Sequence, residues 1–141
     1  SREFLEGVKG RWPGVRMVVV TSRQLEVEEA TREWVGRWFP GVFDEVMFGN
    51  HWAEEGRKMS KTEMCKKCGA VLLIDDALGY ARECAKNGIP VVLFDWEGGY
   101  GWNKTEERLP ELVTRVESWK EAASAIEKVL SQTDGAIDKY A

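Results

Sequence analysis

The sequence predicts an α/β fold, a three-layer Rossmann-like domain built on a mostly parallel sheet, and three observations carry that expectation. Five short apolar runs recur along the 141 residues, each without clean polar alternation. Most are followed by a segment with helical periodicity. Strands of that composition separated by helices belong to parallel sheets buried on both faces. The length suits one domain, 1–141, with a core of useful size.

The first run, 16–22 (RMVVVTS), is β-branched and ends on hydroxyls. It precedes a helix in which Val27, Ala30, Thr31, Trp34, Val35 and Trp38 mark one face, stopped by Pro40 and Gly41. The second strand is 42–48 (VFDEVMF), followed by a polar, Gly-containing loop. A helix then starts near Ser60, whose spacing to Glu63 is that of a capping box, and closes on Gly69. The third strand is 70–74 (AVLLI), and Asp75-Asp76 open the next helix. The fourth, 89–95 (IPVVLFD), leads into the Gly- and Trp-rich loop WEGGYGWNK. The fifth, 112–118, ends on Ser118, an N-cap for a helix with Trp119, Ala122, Ala123, Ile126, Val129 and Leu130 on one face. The tail from Ser131 is expected to fray. No element is read in 1–15, a charged stretch without the apolar segment of a signal peptide.

Composition excludes some functions. Net charge is −4 and no apolar run approaches the roughly 20 residues of a membrane span, so nucleic acid and membrane are not expected as partners. Three cysteines, an odd number, argue against a disulfide framework and for a reducing, cytoplasmic compartment.

Ligand sites in parallel sheets lie at the carboxyl ends of the strands. That rule selects Thr21, Ser22, Arg23, Asp75, Asp76 and Asp95. Hydroxyls and the lysines of RKMSK suit an anion such as phosphate, whereas paired carboxylates suit a hard divalent cation. Adjacent like charges at the rim of a core repel, so Asp75 and Asp76 need a cation, solvent or a helix N-terminus beside them. As an isolated pair they would read as a solvated first turn of a helix.

In their order and spacing these segments resemble the haloacid dehalogenase (HAD) superfamily, in its nucleotidase-like phosphohydrolase branch. VVVTSR looks like the second motif, and SKTEMCKKCGAVLLIDD like the third and fourth together. GIPVVLFDWEGGYGWNK and RVESWKEA are similar to the segments downstream of the fourth motif in that branch, so the resemblance covers about Arg16 to Leu130. It implies a phosphate-binding hydroxyl at Thr21, with Ser22 as alternate. It implies a phosphate-neutralising lysine at Lys61, with Lys58 as fallback, and Mg2+ held by Asp75 and Asp76. The implied substrate is a small phosphorylated metabolite or nucleotide.

The resemblance also implies a first motif upstream of Thr21, an apolar strand ending in Asp-x-Asp that carries the nucleophile. Residues 1–15 contain no Asp. Asp95 and Glu97 mimic the motif but fall in the wrong place in the order. This chain alone is therefore expected to lack aspartyl-phosphate chemistry, as a phosphatase without its nucleophile strand or as a non-catalytic binding or scaffold protein. In the family that strand lies between those of Thr21 and Asp75. Three arrangements answer its absence: an upstream segment supplies it, a complementing chain or homo-oligomer supplies it, or the two flanking edges pair directly.

Other features have plainer readings. Cys65 and Cys68 form a CxxC that ends a helix rather than opening one. A zinc site would need Cys84 and His51 as well, whereas small buried thiols explain the cysteines without a metal. Trp34, Trp38 and Trp119 are expected in the core. Trp52, Trp96 and Trp102 fall in loops near the proposed mouth.

Overall fold

A computed structural model describes residues 1–50 and 56–132. The chain divides into two compact units, one ending at Gly69 and one beginning at Ala70. Both mix helices with short parallel strands, so the α/β class holds.

The first unit contains α1 (Arg2–Arg11), β1 (Val18–Thr21), α2 (Glu28–Trp38), β2 (Glu45–Phe48) and α3 (Lys61–Lys67). Helix α1 has no counterpart in the expectations. It carries Gly7 and Gly10, poor helix formers, buries only Val8, and stops before Pro13. Strands β1 and β2 pair in parallel, with Val18 opposite Glu45 and Thr21 opposite Phe48. On α2 only Thr31 and Val35 are buried. Trp34 and Trp38 are 53% and 54% exposed, contrary to their expected place in the core. The buried stripe is one residue wide. Trp34 instead packs on Phe39, and Trp38 lies under the Arg37 guanidinium. Helix α3 packs against β1 and begins as expected: the Ser60 hydroxyl accepts from the Glu63 N–H at 3.1 Å. It ends at Gly69, whose φ of 68° is the left-handed conformation glycine adopts most cheaply.

The second unit contains β3 (Leu73–Asp75), α4 (Leu78–Lys86), β4 (Val91–Phe94), β5 (Val113–Val116) and α5 (Trp119–Gln132). Its sheet has the order β3-β4-β5, all parallel. Every residue of β4 is buried, and both α4 and α5 pack against it. Strand β3 starts later than expected, at Leu73 opposite Val91, because Pro90 has no N–H with which to extend the ladder upstream. Asp75 is its last residue. The helix after it begins at Leu78 with Ala77 as N-cap, so Asp75 and Asp76 form the turn before the helix rather than its first residues. Ser118 caps α5 through its hydroxyl, which accepts from the Glu121 N–H at 3.1 Å. Ser131 and Gln132 are still helical; the rest of the tail lies outside the described residues.

Among the described residues β1 pairs with β2 in the first unit and β3 with β4 in the second. No helix among them is long and apolar enough to cross a membrane.

Leu93, fully buried in the central strand, and Ser118 separate packing from capping. Leu93→Ala should lower unfolding free energy by about 3 kcal/mol and Ser118→Ala by about 1 kcal/mol, read from urea denaturation at unchanged m-value.

Candidate functional site

In the second unit the chemistry gathers at the carboxyl ends of β3 and β4. Asp75 is buried, and its Oδ1 accepts from the Ala77 N–H at 2.9 Å. That bond fixes the turn leading into α4. The next side chain, Asp76, is exposed. The two carboxylates thus divide their work: one shapes the turn and the other faces solvent.

Asp95 follows β4 and is fully buried. Its Oδ1 accepts from the Tyr100 N–H at 2.8 Å, and its Oδ2 accepts from Lys104 Nζ and from Arg115 Nη1, the latter at 3.1 Å. Burial alone would push this carboxyl up. The bond from Lys104, the Tyr100 amide, the charge of Lys104 and the bond from Arg115 together outweigh it and hold the group below the ordinary aspartate value. The Asp95 carboxylate, sealed from solvent and held by three donors, ties the loop after β4 to the sheet.

Arg115, on β5, extends the network. Its Nη1 also donates to Asn103 Oδ1 and its Nη2 to the Asn103 carbonyl, both at 2.7 Å. Asn103 is fully buried, and its Nδ2 donates to the carbonyls of Phe94 at 3.0 Å and Asp76 at 3.1 Å. Reasoning from sequence missed Asn103, Lys104 and Arg115. The signal was weak: an Asn in a Gly-rich loop reads as a turn residue, and an Arg in a strand as a solvated one.

The loop between Asp95 and Lys104 is held close to the strand ends by this network. Glu97 and Gly98 both adopt left-handed conformations, which glycine takes most cheaply. Trp96 stacks on Phe94, which packs in turn on Trp119 at 4.4 Å. Trp102, well exposed, stacks on Tyr100 at 4.3 Å. A shallow groove of about 480 Å3, lined by Arg82, Lys86, Pro110 and Leu112 among others, lies at the amino end of β5, away from these carboxylates.

Thr21, Ser22 and Lys61 belong to the first unit. Thr21 closes β1, its hydroxyl accepts from the Arg23 N–H at 3.2 Å, and Ser22 beside it is half-buried. Lys61 is the first residue of α3, the helix packed against β1, and Lys58 is exposed in the loop before it. Arg23 turns back, its Nη1 donating to the Thr31 hydroxyl. Buried Asn50 organises this end of the sheet. With φ of 54°, it accepts from the Leu25 N–H through Oδ1 and donates to the Arg57 carbonyl through Nδ2. It too was missed.

Cys65 and Cys84 are buried and Cys68 is half-buried; all three are thiols. His51 and Trp52 lie outside the described residues. Among the described residues no three His, Cys, Asp or Glu side chains gather as a metal-ligating group. Asp75 and Asp76 nevertheless supply the oxygen-only donors that Mg2+ takes, and Mg2+ is commonly held by one or two carboxylates with water and phosphate completing the shell. The donor chemistry fits that ion. No protein-family model matches the chain, and no curated protein matches it.

The lowered Asp95 value fixes the sign of a pH effect. Its stabilising contribution is present above the unfolded aspartate value of about 3.9 and is lost as pH falls through the lower folded value. Urea midpoints measured from pH 7 to pH 2.5 should fall on the acid side. Asp95→Asn should flatten part of that fall and lower stability at pH 7 by about 3 kcal/mol, since it leaves Arg115 without its carboxylate.

Proposed function

We propose that this chain is a HAD-like phosphohydrolase domain of Rossmann-like, three-layer build, carrying the phosphate-binding and metal-holding parts of a Mg2+-dependent phosphoryl-transfer site. The observation that carries the reading is the end of β3, where a buried Asp75 sets the turn and an exposed Asp76 follows it at the carboxyl edge of a parallel sheet. In the first unit, the end of parallel strand β1 on Thr21-Ser22, with Lys61 opening a helix packed on that strand, supports it further.

The roles follow from the resemblance and from charge. Asp75 and Asp76 hold Mg2+, which would neutralise phosphate oxygens. The Thr21 hydroxyl, with Ser22 as alternate, donates to a phosphate oxygen, and Lys61, or Lys58 in its place, balances its charge. The substrate is a small phosphorylated metabolite or nucleotide, and the setting is cytoplasmic. The sequence contains no Asp-x-Asp, and Asp95 is sealed from solvent among its three donors. The isolated chain is therefore inactive until a central strand carrying that motif is supplied, by an upstream segment, a second copy or another chain.

The same absence favours a second reading, a non-catalytic HAD-like binding or scaffold protein that works through its partners. Calorimetric titration of the chain with Mg2+ should give binding that Asp76→Asn abolishes, and orthophosphate binding that Thr21→Val and Lys61→Ala each weaken. With an aryl phosphate and Mg2+, turnover should not exceed that of a Lys61→Ala, Asp75→Asn double variant. Turnover gained on co-expression with an apolar segment ending in Asp-x-Asp selects the enzyme, and ligand binding without such a gain selects the binding protein. Robust turnover by the chain alone that Asp95→Asn removes would overturn both.

A further inference from the structure

We infer that Asn103 is a positioning residue for the Asp75-Asp76 turn, acting as a side-chain continuation of the sheet where the β3–β4 ladder stops. The ladder's last pair is Asp75 with Leu93. One residue beyond it, the carbonyls of Asp76 and Phe94 both receive the Asn103 amide, at 3.1 and 3.0 Å. Two acceptors cannot bond each other, and a buried carbonyl without a donor is costly. A primary amide supplies two N–H groups from one nitrogen, so one side chain serves both.

Arg115 fixes which way the amide faces. A guanidinium only donates, so the group 2.7 Å from Nη1 must be the Asn103 oxygen, which turns Nδ2 toward the carbonyls. Arg115 Nη2 also holds the Asn103 backbone carbonyl. Asp95 then anchors Arg115 from the end of β4. The chain of contacts runs Asp95, Arg115, Asn103, Asp76, and it joins all three strands of the sheet to the acidic turn. Its consequence for the metal rests on the function proposed above: an exposed carboxylate coordinates well only if its backbone is held in place.

Asn103→Ser removes the amide with little steric demand, and Asn103→Asp keeps the shape and the Arg115 contact while replacing both donors. Amide hydrogen exchange on the whole chain reads the turn at Ala77, whose N–H is held by Asp75, and the sheet at Val91, whose N–H donates to the Leu112 carbonyl. In either variant Ala77 exchange should rise roughly tenfold more than Val91 exchange, the loss expected for one hydrogen bond. The exposed-site control Thr114→Ala should move neither. Equal rises at both amides, or an unchanged Ala77, would overturn the assignment. In parallel, Mn2+ titration followed by paramagnetic broadening at Ala77 should give a several-fold weaker affinity in Asn103→Ser than in wild type or Thr114→Ala. Failure of the wild type to bind Mn2+ would overturn the metal reading of the turn, and the exchange ratio would still decide the role of Asn103.

Discussion

Beyond the last pair of the β3–β4 ladder the carbonyls of Asp76 and Phe94 share one side-chain donor, and the second unit is arranged around that constraint. The carbonyls of Asp76 and Phe94 take the Asn103 amide; the Asn103 oxygen then needs a donor and takes Arg115; Arg115 brings a positive charge that a buried Asp95 balances. Asp95 carries spare lone pairs, which Lys104 and the Tyr100 N–H fill. Each group is present because the one before it would otherwise be left unsatisfied in a low-dielectric setting. The loop 96–104 is tied down by that sequence of demands despite its glycines.

The first unit meets the same problem with a different asparagine. The Gly49 N–H donates to the Thr21 carbonyl, continuing the β1–β2 ladder, and Asn50 then leaves the strand in a left-handed conformation. Asparagine tolerates that conformation better than most residues. Its amide ties the Leu25 N–H to the Arg57 carbonyl, and so joins the segment after β1 to the one before α3. The segment after Thr21 and Ser22 is held by this clamp at Leu25, and by the Asn50 N–H at the Arg23 carbonyl.

What could be read in the sequence was what has a period or a fixed spacing. The five strands and the caps at Ser60 and Ser118 are local signals, and each strand appeared within a few residues of its expected place. Helix α1 was not legible because its glycines and single buried valine give it almost no apolar stripe. Trp34 and Trp38 were misplaced because helical spacing says which residues share a face, not whether anything covers it. Thr21, Asp75 and Asp76 were nominated by the strand-end rule. Asn50, Asn103 and Arg115 were not, since each bonds to backbone groups 7 to 27 residues away, and backbone partners leave no trace in residue type.

Asp76 and Asp95 illustrate how position divides two chemically identical side chains. Both follow a parallel strand at the carboxyl edge of one sheet, the place where ligand chemistry is expected. Asp95 is sealed and held by three donors, so its charge serves to hold the loop. Asp76 gives only its backbone carbonyl to that network and keeps its carboxylate toward solvent. Exchanging one for the other would not be conservative in either direction. A neutral residue at 95 leaves a half-buried guanidinium short of its counter-ion, while a neutral residue at 76 keeps every hydrogen bond of the network and removes only a solvent-facing charge. The sheet's architecture therefore depends on the sealed aspartate and leaves the carboxylate of the exposed one unused.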